Sequence, residues 1–440
     1  MRASGLLDHP FRDAYAARAG VLPGATQPWV DGLRQTARGL LNAAGLPGPK
    51  AETWKFTPLA DVARIPFVPA CAVAAPAVRE LPPGVPSIAG ARCIVLVNGV
   101  PRPELSERCD DLKGLRVASF RDVLAREPQT LKPYLGGLAS AGALPLAALN
   151  TAYMADGLVV IAEPGFAGAT LHVVSLGAAG AEPAAFHPRH VVVLNPGARL
   201  TMVESHVGLP GQSYLANPVA EIGVGEGARL DRYVMVAEDP GAFHFATAVM
   251  AVAAGGRVES FHLGLGGAKV RQEVRAALNG PEAACRINGV YALGGTAHHD
   301  LTTVVEHLVP RGTSSQLVKG VVDDRSHAVF QGRIHVAPNA QKTDARQLHK
   351  ALFLGRGPAV DCKPELEIFA DDVQCAHGAA TGELNPDHLF YLMARGIDRE
   401  TAYALLVTGF LDEAVETIAD DGVRAAFAAA VHAWLKRRAA

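Results

Sequence analysis

Residues 190–236 read HVVVLNPGARLTMVESHVGLPGQSYLANPVAEIGVGEGARLDRYVMV. Two turns in this stretch, Gly197-Ala198-Arg199-Leu200 and Gly227-Ala228-Arg229-Leu230, are near copies thirty residues apart. Short runs rich in Val, Leu and Thr flank them (HVVVLN, LTMVESHV, RLDRYVMV), which is the composition of strands bounded by turn-formers. Working outward, Gly255-Gly256-Arg257-Val258 follows at a step of 28. Later turn marks fall near Gly312, His327, Gln341, Pro358 and Val373, at steps of 15, 14, 17 and 15. A repeat near 30 with a half-step near 15 is the signature of a solenoid. One coil cannot bury its own apolar side chains, but stacked coils share a continuous core. The chain is therefore expected to be mainly β, with a β-helix over 157–378. A β-sandwich uses similar strand lengths but needs no fixed step.

The flanks read differently. Residues 1–65 form an expected helical region, with Phe11, Tyr15 and Ala16, then Trp29, Leu33 and Ala37, at helical spacing. It closes on Glu52-Thr53-Trp54-Lys55-Phe56-Thr57-Pro58-Leu59, read as a helix end packing its aromatics on the body. Residues 66–156 are read as a Pro- and Ala-rich linker, a buried strand at Cys93–Val97 with the turn Asn98-Gly99, and a helical segment. Residues 379–440 supply a C-terminal helical region. Asn385, followed by Pro386, and Asp398 are its N-caps, and Gly396 is a C-terminal stop. A solenoid end exposes strand edges, and these helices are the expected caps.

Composition excludes several classes. A chain 49% hydrophobic and 19% charged can bury a large core. A net charge of -2 lacks the basic excess of a general nucleic-acid binder. The six cysteines (71, 93, 109, 285, 362, 375) include no C-x-x-C pair, which argues against a zinc-finger spacing or a secreted disulfide framework. No signal peptide and no membrane span is read, so the expected location is cytoplasmic, with reduced thiols.

Two stretches carry potential chemistry. His298, His299, Asp300 and His307 lie in TAHHDLTTVVEH and offer a metal site, a polar ladder or a solvated face. Cys375 and His377, in Cys375-Ala376-His377-Gly378, share one face of a regular strand, with Cys362 a half-step earlier. Two ligands are too few for a closed site, so they are either buried structural residues or half of a site completed by another chain. No phosphate-binding loop exists, since Gly264-Leu265-Gly266-Gly267-Ala268-Lys269 has the wrong spacing, and any ATP use requires a partner.

The runs GRIHVAPNAQKTDARQ and KPELEIFADDVQCAHGAATGELNPDHLFYLMARGI closely resemble the SufB/SufD family of iron–sulfur cluster assembly proteins. HHDLTTVVEH, QLVKGVV and Trp54-Lys55-Phe56-Thr57-Pro58 extend the match over most of residues 50–415. The segment from Cys375 to Gly382 looks like the SufD side of the family. The resemblance implies a right-handed parallel β-helix with N-terminal and C-terminal α-helical regions. It implies a non-catalytic scaffold that pairs with SufB through the β-helix and with the ATPase SufC through C-terminal helices. Leu389, Phe390, Tyr391, Arg395 and Phe410 are the expected ATPase handle. His377 is the expected ligand of a nascent, transient iron–sulfur cluster shared with SufB, with Cys375 beside it. Some such complexes are associated with reduced flavin, and no flavin site is read here. Two alternatives are a self-sufficient iron or iron–sulfur carrier, homodimeric when isolated, and a β-helix enzyme acting on polysaccharide. The second needs paired acids on one face, whereas the acids here are dispersed.

Overall fold

The computed structural model describes residue 16 and residues 18–439, other than 49, 71–77 and 181. Phe11, Tyr15 and Cys71 lie outside the described residues. Two long, mainly parallel sheets share one interior. The first runs from Leu158–Ala162 through Arg189–Leu194, Val219–Val224, Ala242–Val252, Lys269–Leu278, His298–His307 and His327–Val336 to Ala359–Ile368. The second runs from Arg92–Val97 through Thr170–Gly177, Arg199–Gly208, Arg229–Ala237, Arg257–Gly264, Ala284–Leu293, Thr313–Val322 and Asp344–Phe353 to Gln374–Gly382. The chain alternates between the sheets, so each coil adds one strand to each. This is a stacked parallel β-helix, and the sandwich alternative is excluded.

The repeated turns set the register. Arg229 stands opposite Arg199 on one side and Arg257 on the other. Gly197, Gly227 and Gly255 turn the corners at φ of 72, 62 and 63°, where a side chain would be strained. In-register stacking then puts equivalent residues in ladders. Val192, Ile222, Met250, Ala276, Val305, Ile334 and Leu366 form one in the first sheet. Leu200, Leu230, Val258, Cys285, Ser314, Ala345 and Cys375 form one in the second. Both point inward, and all but their last members are buried. Removing such side chains from water is the main driving force that stacks the coils.

The outer faces are covered by the flanks. Helix Pro28–Ala44 buries Val30, Arg34, Ala37 and Leu41, a stripe offset by one position from the expected Trp29 and Leu33. Trp54 lies in a short 3-10 turn and is buried against the outer face of the first sheet, 6.4 Å from Phe245 and 4.1 Å from the Arg271 guanidinium. The segment read as helical around 115–155 opens instead with a strand, Leu115–Ser119, antiparallel to Leu158–Ala162.

The C-terminal helices correct the capping expectation. Arg399–Val415 and Asp421–Ala439 lie along the flank of the second sheet, where Val407, Leu411, Phe427 and Val431 pack among Tyr233, Phe261, Val290 and Val321. Asn288 donates to the Thr417 hydroxyl at 2.9 Å, and Lys319 pairs with Glu413. Both terminal strands, Ala359–Ile368 and Gln374–Gly382, are left as outermost strands of their sheets. No helix among the described residues is long and apolar enough to cross a membrane.

Candidate functional site

The open last coil gathers the sequence-expected thiol and imidazole. Cys375 tops the ladder that begins at Leu200. His377 tops a second ladder, Met202, Arg232, Ser260, Ile287, Gln316 and Gln347, every lower member of which is buried. Gln347 points across the interior, donating from Nε2 to the carbonyl of Gly332 at 3.3 Å. His377 follows Gln347 in register, so it faces the same interior, but among the described residues no coil lies beyond it and it is exposed. Cys362, opposite Phe330 in the first sheet, also faces inward, among Tyr291, Phe330 and Ala351. Cys362, Cys375 and His377 thus line one unclosed coil, from two facing strands. Cys375 packs beside Leu366 on the cluster of Ile334, Val336 and Ala345.

Burial raises both thiol pKa values. Cys362 is pushed to about 11, and Cys375 is raised by burial with the Asp344 carboxylate adding to it. Each stays a neutral thiol in the free chain, and a thiolate here needs a cation or a partner's positive charge to stabilise it. The rim is apolar: Ile368 and Phe369 are 40% and 60% exposed. Backbone donors face out as well. Gln374 N–H bonds back to Thr343 and Ala359 N–H to Ser326, so alternation turns the N–H groups of 375, 377, 379 and 381 to the free edge. Pro364 falls at a position whose N–H would also face outward, a common way of blunting an edge.

The three histidines of AHHDLTTVVEH each take a different partner, although His298 and Asp300 share the Thr57 hydroxyl. His298 meets the Thr57 hydroxyl at 3.0 Å, His299 the Gly266 carbonyl at 2.7 Å, and His307 the Ser314 hydroxyl at 2.9 Å. Asp300 is buried and accepts from Arg271 at 2.5 Å, Thr302 at 2.8 Å and Thr57. They hold the N-terminal segment on the first sheet and brace the interior. A different trio meets inside the β-helix: His206, Glu238 and His244, all buried, each with a ligand atom within 4.8 Å of the others. No sequence spacing signals it, because two opposed strands and a turn contribute one residue each.

On helix Pro386–Met393 no residue is buried; Phe390 and Tyr391 are 72% and 55% exposed, and Leu389 is half-buried. The Arg395 guanidinium stacks on the Tyr391 ring at 3.5 Å. Phe410 differs, being half-buried beneath the Lys319 ammonium, which lies 4.4 Å from its ring.

Residues 176–410 match the family described as "SUF system FeS cluster assembly, SufBD core domain", and residues 7–164 match the "SufBD protein N-terminal region". A Synechocystis iron–sulfur cluster assembly SufBD family protein is 30% identical over 394 residues, covering 88% of this chain and 86% of the relative. The Escherichia coli iron–sulfur cluster assembly protein SufD is 31% identical over 391 residues, covering 86% and 87%. The Bacillus subtilis SufD is 33% identical over 130 residues, 30% of each chain.

Proposed function

This chain belongs to the SufBD family of iron–sulfur cluster assembly proteins, and on that premise we propose that it is a SufD-type scaffold subunit. It pairs with SufB through the open edge of its β-helix and contributes to building a transient cluster there. The observation that carries this reading is the last coil: Cys362, Cys375 and His377 face an interior that no further coil closes. A thiol and an imidazole suit iron–sulfur ligation, and the missing ligands come from the partner. The chain itself is non-catalytic; ATP hydrolysis belongs to SufC, which docks on the exposed aromatic face around Phe390, Tyr391 and Arg395. The setting is the reducing cytoplasm, where thiol ligands stay free; Cys93, Cys109, Cys285, Cys362 and Cys375 form no disulfide.

The test is iron and acid-labile sulfide per purified complex, measured together with subunit ratios. His377→Ala removes an exposed imidazole and leaves the stacked coils intact. Cluster content should fall sharply, by more than in Cys375→Ala, Cys362→Ala or His388→Ala, at unchanged subunit ratios. A wild-type cluster load, or a loss that merely tracks dissociation of the complex, sinks the ligand role.

A further inference from the structure

Inside the β-helix, well before the open coil, the corner between strands Arg229–Ala237 and Ala242–Val252 is polar. His206 comes from strand Arg199–Gly208, His244 from strand Ala242–Val252, and Glu238 from the turn ahead of it. The imidazole rings meet nearly edge-on, 4.7 Å between centroids and 66° apart. His244 Nδ1 lies 3.3 Å from Glu238 Oε1, yet Glu238 Oε2 and His244 Nε2 are buried with no hydrogen-bond partner among the described residues. An unmet buried polar atom is destabilising, and more so where the group is charged.

Charge sharpens the point. The neighbouring Glu204 is neutralised by Arg232, through contacts of 2.6 and 3.0 Å. Glu238 has no Lys or Arg partner among the described residues; its ion-pair contact is His244. Glu204 lies 3.7 Å from His206 Nε2, beyond hydrogen-bond reach, so its charge acts on that imidazole only through space. The Tyr214 hydroxyl, also buried without a partner, presses against Gly208: a Cβ there would sit 2.2 Å from its oxygen.

We propose that His206, Glu238 and His244 bind a divalent transition-metal ion inside the β-helix. Two imidazoles and one carboxylate suit Zn²⁺ or Fe²⁺, at bond lengths of about 2.0–2.2 Å, with coordination positions left open. At those lengths the ligand atoms of a tetrahedral ion stand about 3.5 Å apart, so the three must close in from their 4.8 Å envelope when the ion binds. The cation supplies the charge that Glu238 otherwise lacks. The alternative is a proton shared between Glu238 and His244. None of its residues belongs to the open coil, so the site does not rest on the ligand role of His377.

The experiment uses the untagged full chain carrying His377→Ala, so that the open coil contributes no imidazole. Produced with Zn²⁺ in the medium and washed with chelator, it should retain about one Zn²⁺ per chain, the load of a single site. Refolded with Co²⁺, it should show the intense visible bands of a low-coordinate imidazole–carboxylate site. Glu238→Gln and His244→Gln preserve volume, and each should weaken Co²⁺ binding by at least about 100-fold, beyond the range of outer-shell losses. Binding equal to the parent in both variants, or no bound Zn²⁺ and no Co²⁺ bands in the parent, overturns the proposal in favour of the shared proton. Should a Gln variant fail to fold, the parent's Zn²⁺ load and Co²⁺ spectrum decide alone.

Discussion

Asp300 and His377 are both polar residues on the two sheets, yet their surroundings give them opposite expected sensitivities. Asp300 is buried and takes hydrogen bonds from Arg271, Thr302 and Thr57. Arg271 is itself buried, and its remaining contacts are the Trp54 ring and Glu273 at 3.6 Å. Asp300→Ala therefore leaves a buried guanidinium short of its main counter-charge. That should lower unfolding free energy by about 3–5 kcal/mol. His377 is exposed at the end of its ladder, and His377→Ala should change stability by less than about 0.5 kcal/mol. Urea titrations of the two variants check this, and comparable losses would contradict the assignment of one as structural and the other as functional.

The C-terminal region divides into two elements with different work. Arg399–Val415 and Asp421–Ala439 bury Val407, Leu411, Phe427 and Val431, so they are part of the body. Pro386–Met393 buries nothing. Removing residues 386–440 would strip the second sheet of its cover and confuse lost docking with lost folding. The cleaner variant is Phe390→Asp with Tyr391→Asp, which should abolish copurification of the ATPase with no measurable change in thermal midpoint. Normal ATPase recovery with that double variant moves the handle elsewhere. Deleting only residues 399–440 should instead lower stability by several kcal/mol, since each fully buried aliphatic or Phe side chain contributes about 1.5–3 kcal/mol. The free edge is the other exposed element. Ala379→Pro with Thr381→Pro deletes two outward N–H groups and no hydrogen bond to strand Asp344–Phe353. Pairing with SufB should weaken while the monomer keeps its fold; unchanged assembly by size-exclusion chromatography would show that the edge is not the interface.

Taken as a whole, the fold buries several histidines that its packing keeps neutral. Burial lowers the pKa of His172, His299, His307 and His349 to about 4 and that of His187 to about 3. In the unfolded chain each titrates near 6.5. Between about pH 6.5 and 4 the unfolded state therefore binds more protons, and stability falls as pH falls. The stabilisation is fully present above pH 6.5. Each histidine loses on the order of 1 kcal/mol per pH unit below about 6, so the urea midpoint should drop clearly from pH 7 to pH 5. An unchanged midpoint would mean that these imidazoles reach solvent or are already charged.

How much of this was legible in the chain follows from what period and spacing encode. The paired turns at Gly197 and Gly227 specify a coil length, and in-register stacking makes Arg199, Arg229 and Arg257 neighbours. The strand period of two likewise sets Cys375 and His377 on one face. Residues 30 apart, or two apart, are placed by local geometry that the chain carries with it. Contacts across the interior are not. His298, His299 and His307 are close in sequence but bond to Thr57, Gly266 and Ser314. His206 lies over thirty positions before Glu238 and His244, yet the three meet. Which residues face each other depends on how two sheets close around a core, and which face the C-terminal helices cover depends on where apolar surface remains. Those are decided by packing of the whole molecule, so only the tertiary structure holds them.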